Sequence, residues 1–190
     1  RNDERVMMIA GTNYFLDTTD IRESYYFSRY YSIWGWATWR RAWKYYDITM
    51  KDWAHPKSKK LLKSFYPQNF ARNYMTRLFD KAHKNIIDTW DIQWAYSCLF
   101  NNGLSIVPGK NLVSNIGREG THTSGDHSNN DFPVFPFDVE TIVHPDHVAQ
   151  NHMLDDRFFE KFIKGHTRRS LYNYFRGLGR AAKRILGFST

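Results

Sequence analysis

The chain of 190 residues is 42% hydrophobic and 17% aromatic, a composition that builds a core and excludes a disordered segment. A single cysteine, Cys98, excludes a disulfide framework and a cysteine-rich zinc module, and no run approaches the roughly 20 apolar residues of a membrane span. The net charge of +8 is local: residues 161–190 hold eight Lys and Arg and no acid, leaving 19 basic groups against 19 acidic ones before them. The basic balance therefore describes an appendage and makes no case for nucleic-acid binding by the body.

The start, Arg5–Phe15, reads as a buried strand running into a loop at Gly11 and Asn13, and aromatic-rich Glu23–Trp34 as a second extended segment. Gly35 breaks it. Trp39, Ala42, Trp43 and Tyr46 then recur at helical spacing, which predicts strand, glycine turn and a helix over Ala37–Asp47. Pro56–Asn85 is helical with a break near Pro67, its buried faces marked by Leu61, Leu62, Phe65, Phe70, Tyr74, Leu78, Phe79 and Ala82. A further helix is expected from an Asp88 N-cap, with Trp90, Trp94 and Cys98 on one face and Gly103 at C′. Leu104–Pro108 and Asn111–Asn115 read as short strands, and 117–130 as a polar loop. A helix follows around Leu154–Ile163, and Thr167–Phe188 sets an apolar stripe against Arg and Lys. The order is α/β with a mixed sheet flanked by helices. The expected division is a main domain over 1–164 and a basic amphipathic helix over 165–190.

Residues 32–43, "SIWGWATWRRAW", concentrate four of the seven tryptophans. Tryptophan combines a broad apolar face with one N–H donor, which suits a sugar ring as well as a core. Trp39 and Trp43 are expected in the core by their spacing. Trp34 and Trp36 flank Gly35 at a turn where backbone approaches a ligand closely, so they either line a site or complete the core. Arg40 and Arg41 begin the predicted helix, a poor place for a cation without a partner. They read either as ligands for a diphosphate or acidic acceptor, or as a solvated surface pair. Asp91 offers a carboxylate between Trp90 and Trp94, whose bulk would raise its pKa by desolvation; it equally suits the positive end of a helix dipole. His144, His147 and His152 lack regular ligand spacing. Cys98, in an apolar run, is an inert buried thiol and suggests a reducing compartment.

The strings "IAGTN", "SYYFSRYYSIWGWATWRRAWKYYD" and "WDIQWAYSCLFNNGLSIVPGKNLVSNIGREGTHT" together resemble the later half of bacterial GT-A-type glycosyltransferases related to family 2, over residues 5–123. The resemblance implies the C-terminal portion of a nucleotide-diphospho-sugar transferase fold and transfer of a sugar to a hydroxyl acceptor, with inversion. It implies Asp91 as catalytic base, and Trp34, Gly35, Trp36, Arg40, Arg41, Trp90 and Trp94 as substrate contacts. His122 is the implied ligand of a divalent cation, Mn2+ or Mg2+, which depends on an Asp-x-Asp motif this chain does not supply, since Asp17 and Asp20 are too far apart. The chain is accordingly expected to be a piece of a longer polypeptide, inactive alone. The implied partners are a nucleotide-sugar donor and a glycan or lipid-linked acceptor, with an anionic membrane surface met through 167–188 and no nucleic acid; the expected location is cytoplasmic, at the inner face of a membrane. The rival reading is a non-catalytic carbohydrate-binding or membrane-surface module.

Overall fold

The computed structural model describes residues 2–114 and 132–165. Four strands form one mixed sheet in the order β2-β4-β1-β3, with β1 Val6–Ile9, β2 Tyr25–Ser28, β3 Ala37–Thr38 and β4 Leu104–Pro108. The central pair β1 and β4 is parallel, while β2 and β3 add antiparallel edges, Tyr26 facing Val107 and Ile9 facing Ala37. The helices are α1 Arg40–Trp43, α2 Pro56–Phe65, α3 Asn69–His83, α4 Asp91–Phe100 and α5 His152–Phe158. This is an α/β architecture with a mixed sheet.

The expected helix over Ala37–Asp47 is corrected. Ala37 and Thr38 are spent as β3, where the Thr38 hydroxyl donates to the Met7 carbonyl at 2.6 Å, and only one helical turn follows. Beyond Trp43 the chain continues in i→i+3 turns, Tyr45 to Ala42 and Tyr46 to Trp43, which still carry the aromatic side chains onto one side. Asn111–Asn115 makes no strand within its described residues, 111–114. Asn111 is instead a buried polar hub: its Oδ1 accepts from the Asn13 amide, and its Nδ2 donates to the carbonyls of Val113 and Pro133. Amide–carbonyl bonds of this kind satisfy loop backbone that no ladder reaches.

Pro67 separates α2 from α3, as its missing N–H and fixed φ dictate. Pro56 sits at the first position of α2, and the His55 ring accepts from the Lys57 amide as its cap. The buried face of α3 is Ala71, Met75, Phe79 and Ala82, whereas Leu61 and Phe70 are exposed, so the expected buried stripe was partly misplaced. Trp53 closes this layer with edge-on contacts to Phe79, Tyr96 and Phe100.

Helix α4 starts at Asp91 with Trp90 as its N-cap residue, so Asp88 does not cap it. At the other end Asn102 takes the left-handed conformation at φ 55° expected of Gly103, and the amides of Asn102 and Gly103 bond back to Leu99 and Cys98, a Schellman closure. Gly103 is required for a different reason: a Cβ there would strike Met7 Sδ and lie 2.8 Å from the Cys98 carbonyl. With only Asn101–Gly103 between them, α4 turns straight into β4, so its N-terminus lies at the end of the sheet where β1 and β4 finish. The core on that side joins Met7, Met8 and Ala10 to Ala42, Trp94 and Cys98.

The chain divides into two compact units, Arg1–His152 and Met153–Thr190. The described part of the second continues α5 into a π-helical stretch, Phe159–Lys164, with Lys164 paired to Glu160 one turn earlier. The amphipathic element expected over 167–188 lies outside the described residues. Among the described residues no helix is long and apolar enough to cross a membrane.

Candidate functional site

Three segments converge where β1 and β4 end, the position at which open α/β sheets receive ligands. The first is the Trp34–Gly35–Trp36 turn. The Trp34 carbonyl accepts from the Gly11 amide at 3.3 Å and the Thr12 hydroxyl at 3.0 Å, which pins the turn to the chain leaving β1. Gly35 has φ +58°, and a Cβ there would run into the Val113 side chain, so the position admits only glycine without strain. The second segment is the turn after β3, which carries Trp43 and Tyr46. The third is the start of α4, which carries Trp90, Asp91 and Trp94.

Together they assemble an indole platform. Trp36 lies 5.2 Å from Trp90 and 6.0 Å from both Trp43 and Trp94, centroid to centroid. Trp43 stacks on Tyr46 at 4.6 Å with their planes 8° apart. Trp94 is fully buried and forms the floor, whereas Trp43 and Trp90 remain 40% and 39% exposed. The expected roles thus redistribute: Trp43, read as core, presents its ring to solvent, and Trp94, read as a contact residue, supports the platform from beneath. Among the described residues the Trp94 Nε1 has no hydrogen-bond partner.

Asp91 is partly exposed in the first turn of α4, directly after Trp90. The Thr89 hydroxyl donates to its Oδ1. Its negative charge reaches two phenols. Tyr46 is raised above the ordinary tyrosine range first by burial and then by Asp91 and Asp47. Tyr14 is raised first by burial, with Asp91 adding to the shift and a hydrogen bond to Ser32 at 3.3 Å opposing it.

Trp34 does not join the platform. Its ring packs with Tyr14 at 6.2 Å and Phe132 at 6.1 Å. Trp39 is half-buried against the Val6, Phe27 and Leu104 core. The arginine pair separates. Arg40 is exposed at the first position of α1, whereas the Arg41 guanidinium donates to the carbonyls of Asp3, Glu4 and Val6 and lies over the Trp39 ring at 4.9 Å. Those carbonyls mark the opposite end of β1 from the Trp34 turn, so Arg41 holds the start of the sheet and is not brought to the platform. It lines a separate cavity of about 210 Å³ with Glu4, Arg5 and Tyr45.

His122 lies outside the described residues. Among the described residues no group of three or more His, Cys, Asp or Glu side chains is placed to hold a metal ion. No step below passes through the cation that the resemblance implies. His144 bonds the Tyr25 hydroxyl at 2.9 Å through Nδ1. Cys98 is buried and its thiol is pushed up by desolvation, so it stays protonated.

Tyr14, Tyr46, Thr89 and Phe132 escaped the sequence reading as site residues. Tyr46 had a signal, its i, i+3 relation to Trp43. Thr89 had one in its place two residues before Asp91 at a helix start. Nothing local to Phe132 points to Trp34, nearly a hundred positions away.

No protein family, curated protein or solved structure was found to match the chain.

Proposed function

We propose that this chain forms the acceptor-side part of a GT-A-type glycosyltransferase, which moves a sugar from a nucleotide-diphospho-sugar to a hydroxyl acceptor with inversion. The observation that carries the reading is a carboxylate, Asp91, directly after Trp90, whose partly exposed indole packs with those of Trp36 and Trp43. Indole faces hold the C–H side of a sugar ring, and the carboxylate accepts the proton of the hydroxyl that attacks. In the displacement the acceptor oxygen bonds to the anomeric carbon as the bond from that carbon to the diphosphate oxygen breaks. The electron pair leaves with the nucleotide diphosphate and the proton passes to Asp91. Thr89 holds the carboxylate in place by donating to Oδ1.

This reading includes a divalent cation, Mn2+ or Mg2+, on the donor side, with His122 as this chain's contribution. Its partners are a nucleotide-sugar, a glycan or lipid-linked acceptor, and an anionic membrane surface for 167–188 at a cytoplasmic location. The exposed platform also supports a second reading, a carbohydrate-binding module without chemistry.

The two part in one assay. Release of nucleotide diphosphate from a panel of nucleotide-sugars, with either cation, is measured with and without glycans on the full chain and on any longer polypeptide that carries it. Acceptor-dependent release supports the transferase. Glycan binding with no release from either preparation supports the module, and neither binding nor release removes both.

A further inference from the structure

Two aromatic groups leave the Gly35 turn in different directions, and Asp91 adjoins one of them as the neighbour of Trp90. In a regular strand, residues two apart point to the same face. Trp34 and Trp36 do not, because Gly35 between them turns the backbone through φ +58°. Trp34 joins Tyr14 and Phe132, which themselves meet edge-on at 5.9 Å, and Trp36 joins Trp43, Trp90 and Trp94. Among the described residues no ring contact links the first group to the second. Burial, and after it the charge of Asp91, raises one tyrosine in each group, Tyr14 and Tyr46.

Both groups keep ring surface accessible. Trp43 and Trp90 are about two-fifths exposed, and Tyr14, Trp34 and Phe132 are half-buried. Hydroxyl groups border them, Ser32 beside Tyr14 and Thr89 beside Asp91. Two flat apolar patches on either side of the Gly35 turn, with hydroxyls on both and a carboxylate beside Trp90, match a ligand of alternating flat rings and hydroxyl-bearing linkages. A nucleic-acid strand would also offer flat rings, but its phosphates would be repelled by that carboxylate.

We propose that the ligand of this face is an oligosaccharide of at least two linked sugar rings, one on each aromatic group, with the reacting hydroxyl presented to Asp91. The inference rests on the acceptor reading above and narrows it: a monosaccharide or a simple alcohol would engage only one group.

The test titrates the full chain with glycan series of several linkages, from monosaccharide to hexasaccharide, by calorimetry and tryptophan fluorescence, with a single-stranded oligonucleotide alongside. At least one series is expected to gain roughly tenfold in affinity between one ring and two or three, the scale of one added aromatic contact. Trp34→Ala and Trp90→Ala should each return the longer glycan to the monosaccharide affinity, and Trp34→Phe should restore most of the gain. Circular dichroism on each variant separates loss of contact from loss of fold. Affinity independent of glycan length, or a length dependence that Trp34→Ala and a folded Trp34→Phe both leave intact, overturns the two-sided site while leaving the acceptor reading standing. Failure of every glycan to bind, or binding of the oligonucleotide instead, removes the acceptor reading and this inference together.

Discussion

The aromatic clusters around Trp53 and around Trp36 are built from the same residue types, and they are finished differently. Around Trp53 the rings of Phe79, Tyr96 and Phe100 meet it edge-on, at interplanar angles of 74° to 86°. Trp53 is 1% exposed, and its indole N–H donates to Asp80 at 2.9 Å. Around Trp36 its own three ring contacts are tilted, at 34° to 45°, Trp43 stacks on Tyr46, and Trp43 and Trp90 stay about two-fifths exposed. Edge-to-face packing with every donor satisfied is how a core is completed. The comparison separates aromatic residues covered on every side from those that keep surface accessible, a distinction that composition cannot make.

The widest gap should come from truncating one indole in each cluster. Trp53→Ala removes a buried ring and orphans Asp80, and should cost about 3–5 kcal/mol in chemical denaturation. Should Trp53→Ala and Trp90→Ala destabilise equally, the distinction fails. Gly35→Ala comes next, at about 1–3 kcal/mol, because the added Cβ meets Val113 in a left-handed backbone. A crystal structure or NOE pattern of that variant should show Trp34 or Trp36 displaced, the other core being untouched.

Alkaline pH sharpens the contrast through the tyrosines. Burial, then the charges of Asp52 and Asp47, push Tyr96 up to about 12, against about 10 in the unfolded chain. The folded state therefore keeps a proton that the unfolded state gives up. This stabilisation is fully present below pH 10 and is lost as pH rises through 12. Tyr96→Phe should flatten that limb of a stability–pH curve, and an unchanged limb would show that Tyr96 ionises freely. The smallest effect belongs to Trp90→Ala, whose 39% exposed ring should cost under about 1 kcal/mol of stability.

How far these regions could be read from the sequence follows from which interactions are local. The strands β1, β2 and β4 fall within the apolar and aromatic runs that predicted them, and α2 and α3 part at Pro67 as its backbone chemistry requires. Misreadings arise where tertiary contact decides. Ala37–Thr38 joins an edge of the sheet because β1 offers it a ladder, and Asn111 leaves a strand-like run because Asn13 and Pro133 need its amide. The spacing spoke correctly for Trp43 and Tyr46, which stack, but not for Trp39, which packs on the Val6, Phe27 and Leu104 core, nor for which rings would be covered. The doublet Arg40–Arg41 gave no hint that one guanidinium would be consumed by carbonyls of residues 3–6. Asp91 was legible as an acid between tryptophans at a helix start, whereas its neighbours Tyr14 and Phe132 arrive only through folding.

The central claim is that Asp91 takes the proton of an alcohol held on indole faces. Its most direct test is Asp91→Asn in a preparation that transfers sugar, with turnover and acceptor affinity measured on the same sample. The account predicts a fall in turnover of about 10²–10⁴-fold with acceptor affinity nearly unchanged. Turnover close to that of the parent, with the variant folded and the acceptor bound, would contradict it.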